Sequence, residues 1–440
     1  MIKSRLETGY GCATKVTMLY ERWRKISAER QNEIALRDFA SGRRWTFGGL
    51  LAEGESRPAA EKVAWVQGHS PEFIFDLLAA WRKKKIVCPL EPGQGGLDAS
   101  TGRDIGSLAS PIVHLKSTSA TGGSSQFVAF TAEQLMADAE NIVATMGLRP
   151  DWPNLGVISL AHSYGFSNLV LPLLLRGIPL VLAPAPLPEI IRRAAENESA
   201  ITLPAVPAMW RAWHEAKAVP QNVRLAISAG APLPVNLERD IFQSCGLKIH
   251  NFLGSSECGG IAYDSSAVPR LDAALAGTPM QNVDLSLNAG GCLVVRSRAV
   301  AETYWPEKSG SLKEGVFQTS DLAELKDGQV FLHGRLGDQI NLAGRKLSPE
   351  TVERALLAHP QVRECLILGV PERAAGRTES IVAVVVGDAL EKDLKLFLLQ
   401  MLPAWQVPRE WHFVDSISTS ARGKISRAEW RKYFAAETRA

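Results

Sequence analysis

Two carboxylates, an arginine and a lysine stand in small loops along the second half of the chain: Gly254-Ser255-Ser256-Glu257, Thr319-Ser320-Asp321, Gly334-Arg335 and Gly423-Lys424. Upstream, the run Ser117-Thr118-Ser119-Ala120-Thr121-Gly122-Gly123-Ser124-Ser125-Gln126 packs hydroxyls and glycines together, straight after the apolar Ile112–Leu115. Glycines let backbone N–H groups approach a phosphate, and hydroxyls add further donors. The G-K-[ST] ending of a Walker loop is absent. Taken singly, each feature has a plainer reading. The hydroxyl run reads equally as a solvated polar loop, Glu257 as a solvated carboxylate, Arg335 as a surface ion pair and Lys424 as a basic loop.

The elements that would position these loops are short β-rich runs alternating with helical patterns. Val63–Val66 reads as a strand and Pro71–Lys84 as a helix with Phe73, Leu77, Leu78 and Trp81 on one face. Val157–Leu160 reads as a strand leading into His162-Ser163-Tyr164-Gly165, then a helix, then the strand Pro179–Leu182. Leu225–Ser228 ends in Ala229-Gly230-Ala231-Pro232, and Lys248–Leu253 ends in the Glu257 loop. Such alternation predicts an α/β protein with parallel-type sheets, whose ligands sit beyond the carboxyl ends of the strands.

The pattern changes near 335. A large N-terminal lobe over 1–336 is expected, with a β-rich region about 280–333 that includes Leu293–Arg298 and Gln329–His333. A small α+β domain follows over 337–440, a size that folds on its own. Its expected elements are Gln339–Leu342, a helix capped by Ser348 with Pro349 in its first turn, strands Cys365–Val370 and Ile381–Val386, a helix over Asp393–Leu402, a strand near Trp411–Val414 and a last helix from Ser426.

A net charge of +3 over 440 residues gives no field for a nucleic acid, and no long basic or amphipathic run points to a membrane surface. The apolar stretch Leu169–Leu182 is short and broken by Pro172, Arg176, Gly177 and Pro179, so it reads as core and not as a span. The six cysteines form no C-x-x-C pair and no zinc-like spacing, which fits reduced thiols. Met1–Tyr20 has no apolar signal-peptide core, so the expected location is the cytoplasm.

Read together and in order, these motifs resemble those of the adenylate-forming superfamily: acyl- and aryl-CoA synthetases, luciferases and the adenylation domains of peptide synthetases. That family carries a Ser/Thr/Gly phosphate loop, G-x-[ST]-E, [ST]-G-D, G-R-x-x-D with a nearby G-x-x-[IL]-x-P, and a closing G-K-[ILV]-x-R. Here they read Thr118–Thr131, Gly254–Glu257, Thr319–Asp321, Gly334–Pro349 and Gly423–Arg427, across roughly 45 to 435.

The resemblance implies ATP-dependent activation of a carboxylic acid to an acyl-adenylate, followed by transfer to a thiol of CoA or of phosphopantetheine on an acyl carrier protein. It implies that Glu257 holds Mg²⁺, a hard cation suited to carboxylate oxygen. Thr118, Ser119, Thr121, Gly122, Gly123, Gly254, Ser255 and Ser256 would meet the phosphates. Gly230, Ala231 and Pro232 would lie along the adenine edge, and Asp321 and Arg335 at the ribose. Lys424 would bridge carboxylate and ATP during adenylation. His162 and Tyr164, with Gly259, Gly260 and Ile261, would line a pocket for a hydrophobic fatty or aryl acid. The small C-terminal domain would be mobile about Gly337 and bring the segment around Gly344 to the incoming thiol.

Four departures stand out. Gln126 occupies the place of the phosphate loop's second lysine, Leu253 that of the adenine-stacking aromatic, Ser320 that of a glycine and Gly337 that of the hinge Asp or Lys. The N-terminal lobe is also trimmed. From a different class, a non-catalytic acyl- or nucleotide-binding module remains an alternative, motivated by Gln126 and opposed by the retained Lys424.

Overall fold

The computed structural model describes residues 17–58, 63–91, 111–118, 126–342, 344–371, 379–417 and 427–437. Ser119, Thr121, Gly122, Gly123 and Lys424 lie outside them, as does the side chain of Thr118.

The main body is built on a 14-stranded sheet and a five-stranded one. In the larger sheet, strands at Asn154–Gly156, Leu180–Leu182, Ile201–Ala205, Val223–Ser228 and Ile249–Ser255 run parallel. Their centre is apolar on both faces: all five residues of Ile201–Ala205 are buried. That is what a parallel sheet covered by helices requires, and it is why these strands read as unbroken apolar runs. Beyond Ile249–Ser255 the same sheet turns antiparallel through Gly259–Tyr263, Leu275–Pro279, Gln329–Arg335, Val316–Lys326, Cys292–Ser297 and Val283–Leu287. The five-stranded sheet includes Ile112–Thr118 and Gln126–Thr131, which pair antiparallel and flank the hydroxyl-rich run.

Between the sheets lies a large apolar core that holds Trp23, Phe47, Phe73 and Trp81, each fully buried. Burying each such ring contributes about 1.5–3 kcal/mol. The helix Ala132–Met146 crosses this core, started by a capping box: Thr131 Oγ1 accepts from Gln134 N at 3.4 Å, and Gln134 Oε1 accepts from Thr131 N at 2.8 Å.

From Ile340 onward the apolar side chains form cores of their own, around Ile340, Val352, Ile367 and Ala383, and around Leu366, Val384 and Phe434. A three-stranded sheet of Val362–Pro371, Glu379–Gly387 and Glu410–Phe413 carries the helix Pro349–Leu357 and the terminal helix Arg427–Glu437. Among the described residues, the hydrogen bonds that tie this part to the body include Arg354 Nη1 to Leu332 O at 2.7 Å and Asn236 Nδ2 to Leu357 O at 2.9 Å.

The structure corrects the sequence reading in places. The expected strand over Val157–Leu160 is instead the strand Asn154–Gly156, and the stretch after it is irregular. Val157, Ile158 and Leu160 are nonetheless buried, so their apolarity reports burial and not a ladder. The helix over Pro71–Lys84 closes at Arg82. Ser348 precedes its helix, but its side chain makes no capping bond.

Candidate active site

Val223–Ser228 and Ile249–Ser255 are parallel neighbours, with Ala226 opposite Ile249 and Ser228 opposite Asn251. Their two loops therefore leave one edge of the sheet side by side. Gly230 has φ +86°, a left-handed turn that favours glycine, and Gly230, Ala231 and Pro232 are exposed.

Ser256, Glu257 and Cys258 form the tip of an antiparallel pair closed by Gly254 opposite Gly260 and Ser255 opposite Gly259. Ser255 Oγ accepts the Glu257 N–H at 3.2 Å, and Glu257 O accepts from Ala301 N at 2.8 Å. One Glu257 oxygen, Oε1, accepts from Tyr304 Oη at 3.2 Å. Its other oxygen has no protein partner among the described residues, which leaves a carboxylate oxygen available to a hard cation. Ser256 Oγ meets Ser163 Oγ at 2.8 Å, so the His162 loop and the Glu257 loop touch directly.

His162 Nδ1 accepts from Tyr164 N at 3.2 Å and so caps the turn that follows. Tyr164 is seated in the core. Its ring packs at 5.9 Å from that of Phe252, and its hydroxyl points at Ala205 O, 3.4 Å away. Burial raises the Tyr164 pKa far above the ordinary tyrosine value.

Gly259, Gly260 and Ile261 are buried as well. What the two glycines admit here is the Asp138 carboxylate against Gly259 and the Met280 sulfur against Gly260. Gly259 also has φ +67°. Gly259→Ala is accordingly expected to lower thermal stability by about 2–4 kcal/mol, from left-handed strain plus overlap with a carboxylate. A melting temperature equal to that of the parent would exclude this account.

Phe252 faces the same core and lies against Gly254 and Gly260. Leu253, its neighbour, is half-buried and packs against the same core, at a break in strand register before Gly254.

Asp321 and Arg335 stand opposite each other on adjacent strands, joined from Nε to Oδ1 at 2.9 Å. Thr319 Oγ1 accepts from Asp321 N at 3.0 Å and fixes the turn of backbone that presents the carboxylate. The Arg335 side chain is 60% exposed, so the pair contributes little to stability. Among the described residues no hydrogen bond or ion pair joins it to the Glu257 loop. Gly334 has φ +127°, and the Glu350 and Ser348 side chains lie against it.

Gly337 sits in the short turn Leu336–Asp338 with open space where a Cβ would be. Gly344, φ +89°, is exposed, and its N–H donates to Asn341 Oδ1 at 2.9 Å. Arg427, at the end of the closing motif, donates to Glu350 at 3.0 Å and Glu353 at 2.8 Å. Burial pushes the Glu353 carboxyl up to about 7, against the pull of Arg427.

Sequence reasoning missed Tyr304, which orients Glu257, and the buried set Lys116, Asp138 and Ser167 beneath the Glu257 tip. Signals existed. Lys116 interrupts an apolar strand, and Asp138 falls on the apolar face of its helix with Leu135, Ala139 and Ile142.

Among the described residues the cysteines 88, 245, 258, 292 and 365 are free thiols. No described helix is long and apolar enough to cross a membrane.

Two family models match the chain. The AMP-binding enzyme model covers residues 113–305, and the AMP-binding enzyme C-terminal domain model covers residues 351–424. A feruloyl-CoA synthase from an Amycolatopsis species is 28% identical over 403 residues, which is 85% of this chain and 80% of the relative. An uncharacterized acyl–CoA ligase of Bacillus subtilis is 29% identical over 249 residues, 54% of this chain and 51% of the relative, so the chain spans about half of that protein. The ATP-bound crystal structure of MatB from Rhodopseudomonas palustris superposes with a TM-score of 0.82 at 19% identity, over 94% of this chain and 99% of the other, and shows a shared fold. The chain belongs to the adenylate-forming superfamily of AMP-binding enzymes, the superfamily of the acid–thiol ligases.

Proposed function

We propose that the chain joins a hydrophobic carboxylic acid, aryl or fatty, to CoA in two steps. The acid's carboxylate oxygen attacks the α-phosphorus of ATP and pyrophosphate leaves. The CoA sulfur then attacks the acyl carbonyl of the adenylate, its proton is released and AMP leaves.

The observation that carries this reading is the Glu257 tip. It offers a carboxylate oxygen without a protein partner among the described residues, at the tip that follows the parallel strand Ile249–Ser255, whose sheet neighbour leads into the exposed Gly230–Pro232 loop, and it touches the His162 loop through Ser256 and Ser163. Ligands of open α/β sheets sit at such strand ends. Glu257 would hold Mg²⁺, which when bound neutralises charge on the phosphoryl oxygens. Ser256 and the run Thr118–Gly123 would donate to the phosphates. Gly230, Ala231 and Pro232 would follow the adenine edge, with Leu253 in place of a stacking ring. Asp321 would accept both ribose hydroxyls, its pairing with Arg335 holding it in place. Lys424 would neutralise the α-phosphate and the attacking carboxylate together.

The 336/337 boundary makes Gly337 the pivot of the C-terminal part and Gly344 its thiol-side turn. An aryl acid draws support from the name of the feruloyl-CoA synthase relative. His162, held as a cap, would serve as a fixed wall.

Pyrophosphate release with ATP, Mg²⁺ and a panel of fatty and aryl acids tests the reading. Release that requires an acid, followed by thioester formation with CoA, is expected. Release with no acid dependence, or none across the panel, would sink it. Asp321→Ala should raise the KM for ATP on the order of tenfold to a hundredfold, since two charge-assisted bonds are lost, and change kcat far less. A KM for ATP unchanged in that variant would remove Asp321 from the ribose site.

A further inference from the structure

Beneath the Glu257 tip lies a buried polar chain that none of these roles uses. Lys116, 3% exposed, sits on the strand Ile112–Thr118 that leads into the hydroxyl-rich run. Its Nζ donates to Ser167 Oγ at 3.2 Å, Ser167 Oγ donates to Asp138 Oδ2 at 2.6 Å, and Asp138 Oδ1 accepts the Gly260 N–H at 3.3 Å. The ammonium also stands 4.6 Å from the centroid of the Phe130 ring. Ser167 belongs to the π-helix Phe166–Val170, which follows directly on the His162–Gly165 loop. Such widened turns recur at functional sites.

Three hydrogen bonds therefore link four elements: the strand entering the hydroxyl run, the segment behind the His162 loop, the helix Ala132–Met146 and the strand leaving the Glu257 tip. Burying a lysine and a carboxylate costs several kcal/mol per ion before their attraction is counted. Burial lowers the Lys116 pKa, and the Asp138 charge pulls it back. Apolar side chains of similar size would fill the same space with no such cost. Asp138 even displaces an apolar residue from the core-facing stripe of its helix. What the charges add is direction: a carboxylate held where it grips one particular backbone N–H, three residues after Glu257.

We propose that Lys116, Ser167 and Asp138 are positioning residues that lock the Glu257 tip and the His162 loop to the strand entering the phosphate run. The inference rests on the adenylation reading for its effect on rate, though not for the lock itself.

The test compares Lys116→Met, Asp138→Asn and the double variant with the parent by two readouts. Amide exchange over residues 255–263 reads the lock without turnover. Acid-dependent pyrophosphate release reads its consequence. Each single variant leaves one charge buried alone. It should exchange faster there and lose kcat by about a hundredfold, with KM for ATP little changed, because misplacement penalises the transition state. The double variant, with no lone charge, should recover about tenfold over the worse single one. A merely structural role predicts recovery of stability in the double variant, but not the kcat-against-KM split at a temperature where every variant is folded. Ser167→Ala removes the bridge while keeping both charges, and should give the same pattern more weakly if the single variants do not fold.

Exchange equal to the parent in every variant would overturn the proposal. So would faster exchange with unchanged kcat. A parent with no acid-dependent release would sink the proposed function, and the exchange data would still decide the lock.

Discussion

Lys424→Ala should lower acid-dependent pyrophosphate release by a factor on the order of 10²–10³, the range found when one donor to a developing charge is removed. The reason is where the charge appears. Carboxylate and triphosphate both repel each other before they react, and negative charge gathers on the phosphoryl oxygens as the bond forms. A lysine that meets both groups lowers that barrier without tightening the ground state, so KM for ATP should move little. The lysine lies outside the described residues, which resume at Arg427. Arg427, three residues on, is fastened to Glu350 and Glu353 on the helix Pro349–Leu357. That helix packs in the C-terminal part, so Arg427 and the helix it opens are anchored there. Thioester formation from a supplied acyl-adenylate needs no such neutralisation, and should survive in the variant. Equal release by parent and variant would remove Lys424 from its role. Loss of both half-reactions together would point to a folding defect instead.

Much of this arrangement is legible in the residues before any coordinates. The order of small motifs places Glu257, Asp321, Arg335 and Lys424 in loops; the structure sets Glu257 at a hairpin tip but corrects the other two described residues, which sit on paired strands, Asp321 midway along Val316–Lys326. Strands buried on both faces announce themselves as apolar runs, which is why the expected Leu225–Ser228 and Ile381–Val386 fall inside the observed Val223–Ser228 and Glu379–Gly387. The same signal misleads at Val157–Leu160, because burial and ladder pairing are different properties. Asn154-Leu155-Gly156, with two poor strand formers, carries the pairing there because its neighbours Leu180–Leu182 and Thr202 supply the partners.

The closeness of Ser163 to Ser256, and of Asp138 to Gly260, joins residues 93 and 122 positions apart. No local pattern encodes a contact of that range. Periodicity could still flag Asp138 as a charge on an apolar face. It could not say that its partner is a glycine N–H beside the proposed cation ligand. Nor does the choice of small residues at 259 and 260 say whether a substrate or the protein itself occupies the space. Here Asp138 and Met280 occupy it.

Glu238→Ala should destabilise the body by about 3–5 kcal/mol, the cost of uncovering buried charges. Glu238 is fully buried and accepts from both Lys248 and Arg270, the latter through Nε at 2.9 Å and the backbone N at 3.0 Å. Lys248 has a second counter-charge in Asp264 at 2.6 Å. Arg270 does not. Without Glu238 its guanidinium keeps two carbonyls, Leu233 O and Leu275 O, and no anion among the described residues. The charge cannot leave by deprotonation, since arginine stays protonated. A lone buried cation is therefore the outcome, and the destabilisation follows from that and not from the loss of packing alone.

Glu238→Gln separates the two. It keeps the shape and an acceptor but removes the charge, so it should cost most of the same amount. Arg270→Met in the Glu238→Ala background removes the stranded cation and should restore a large part of the stability. Urea unfolding of the four proteins measures each difference. A loss under about 1 kcal/mol in Glu238→Ala would mean that water reaches Arg270 and that this network is solvated. The network also bears on the site. Lys248 immediately precedes the strand Ile249–Ser255, and Asp264 immediately follows Gly259–Tyr263, so the same ions clamp the two strands together at the open end of the pair whose tip is Glu257. Where the stability loss is confirmed, activity lost by Glu238→Ala at a temperature where it remains folded would report looser placement of that tip.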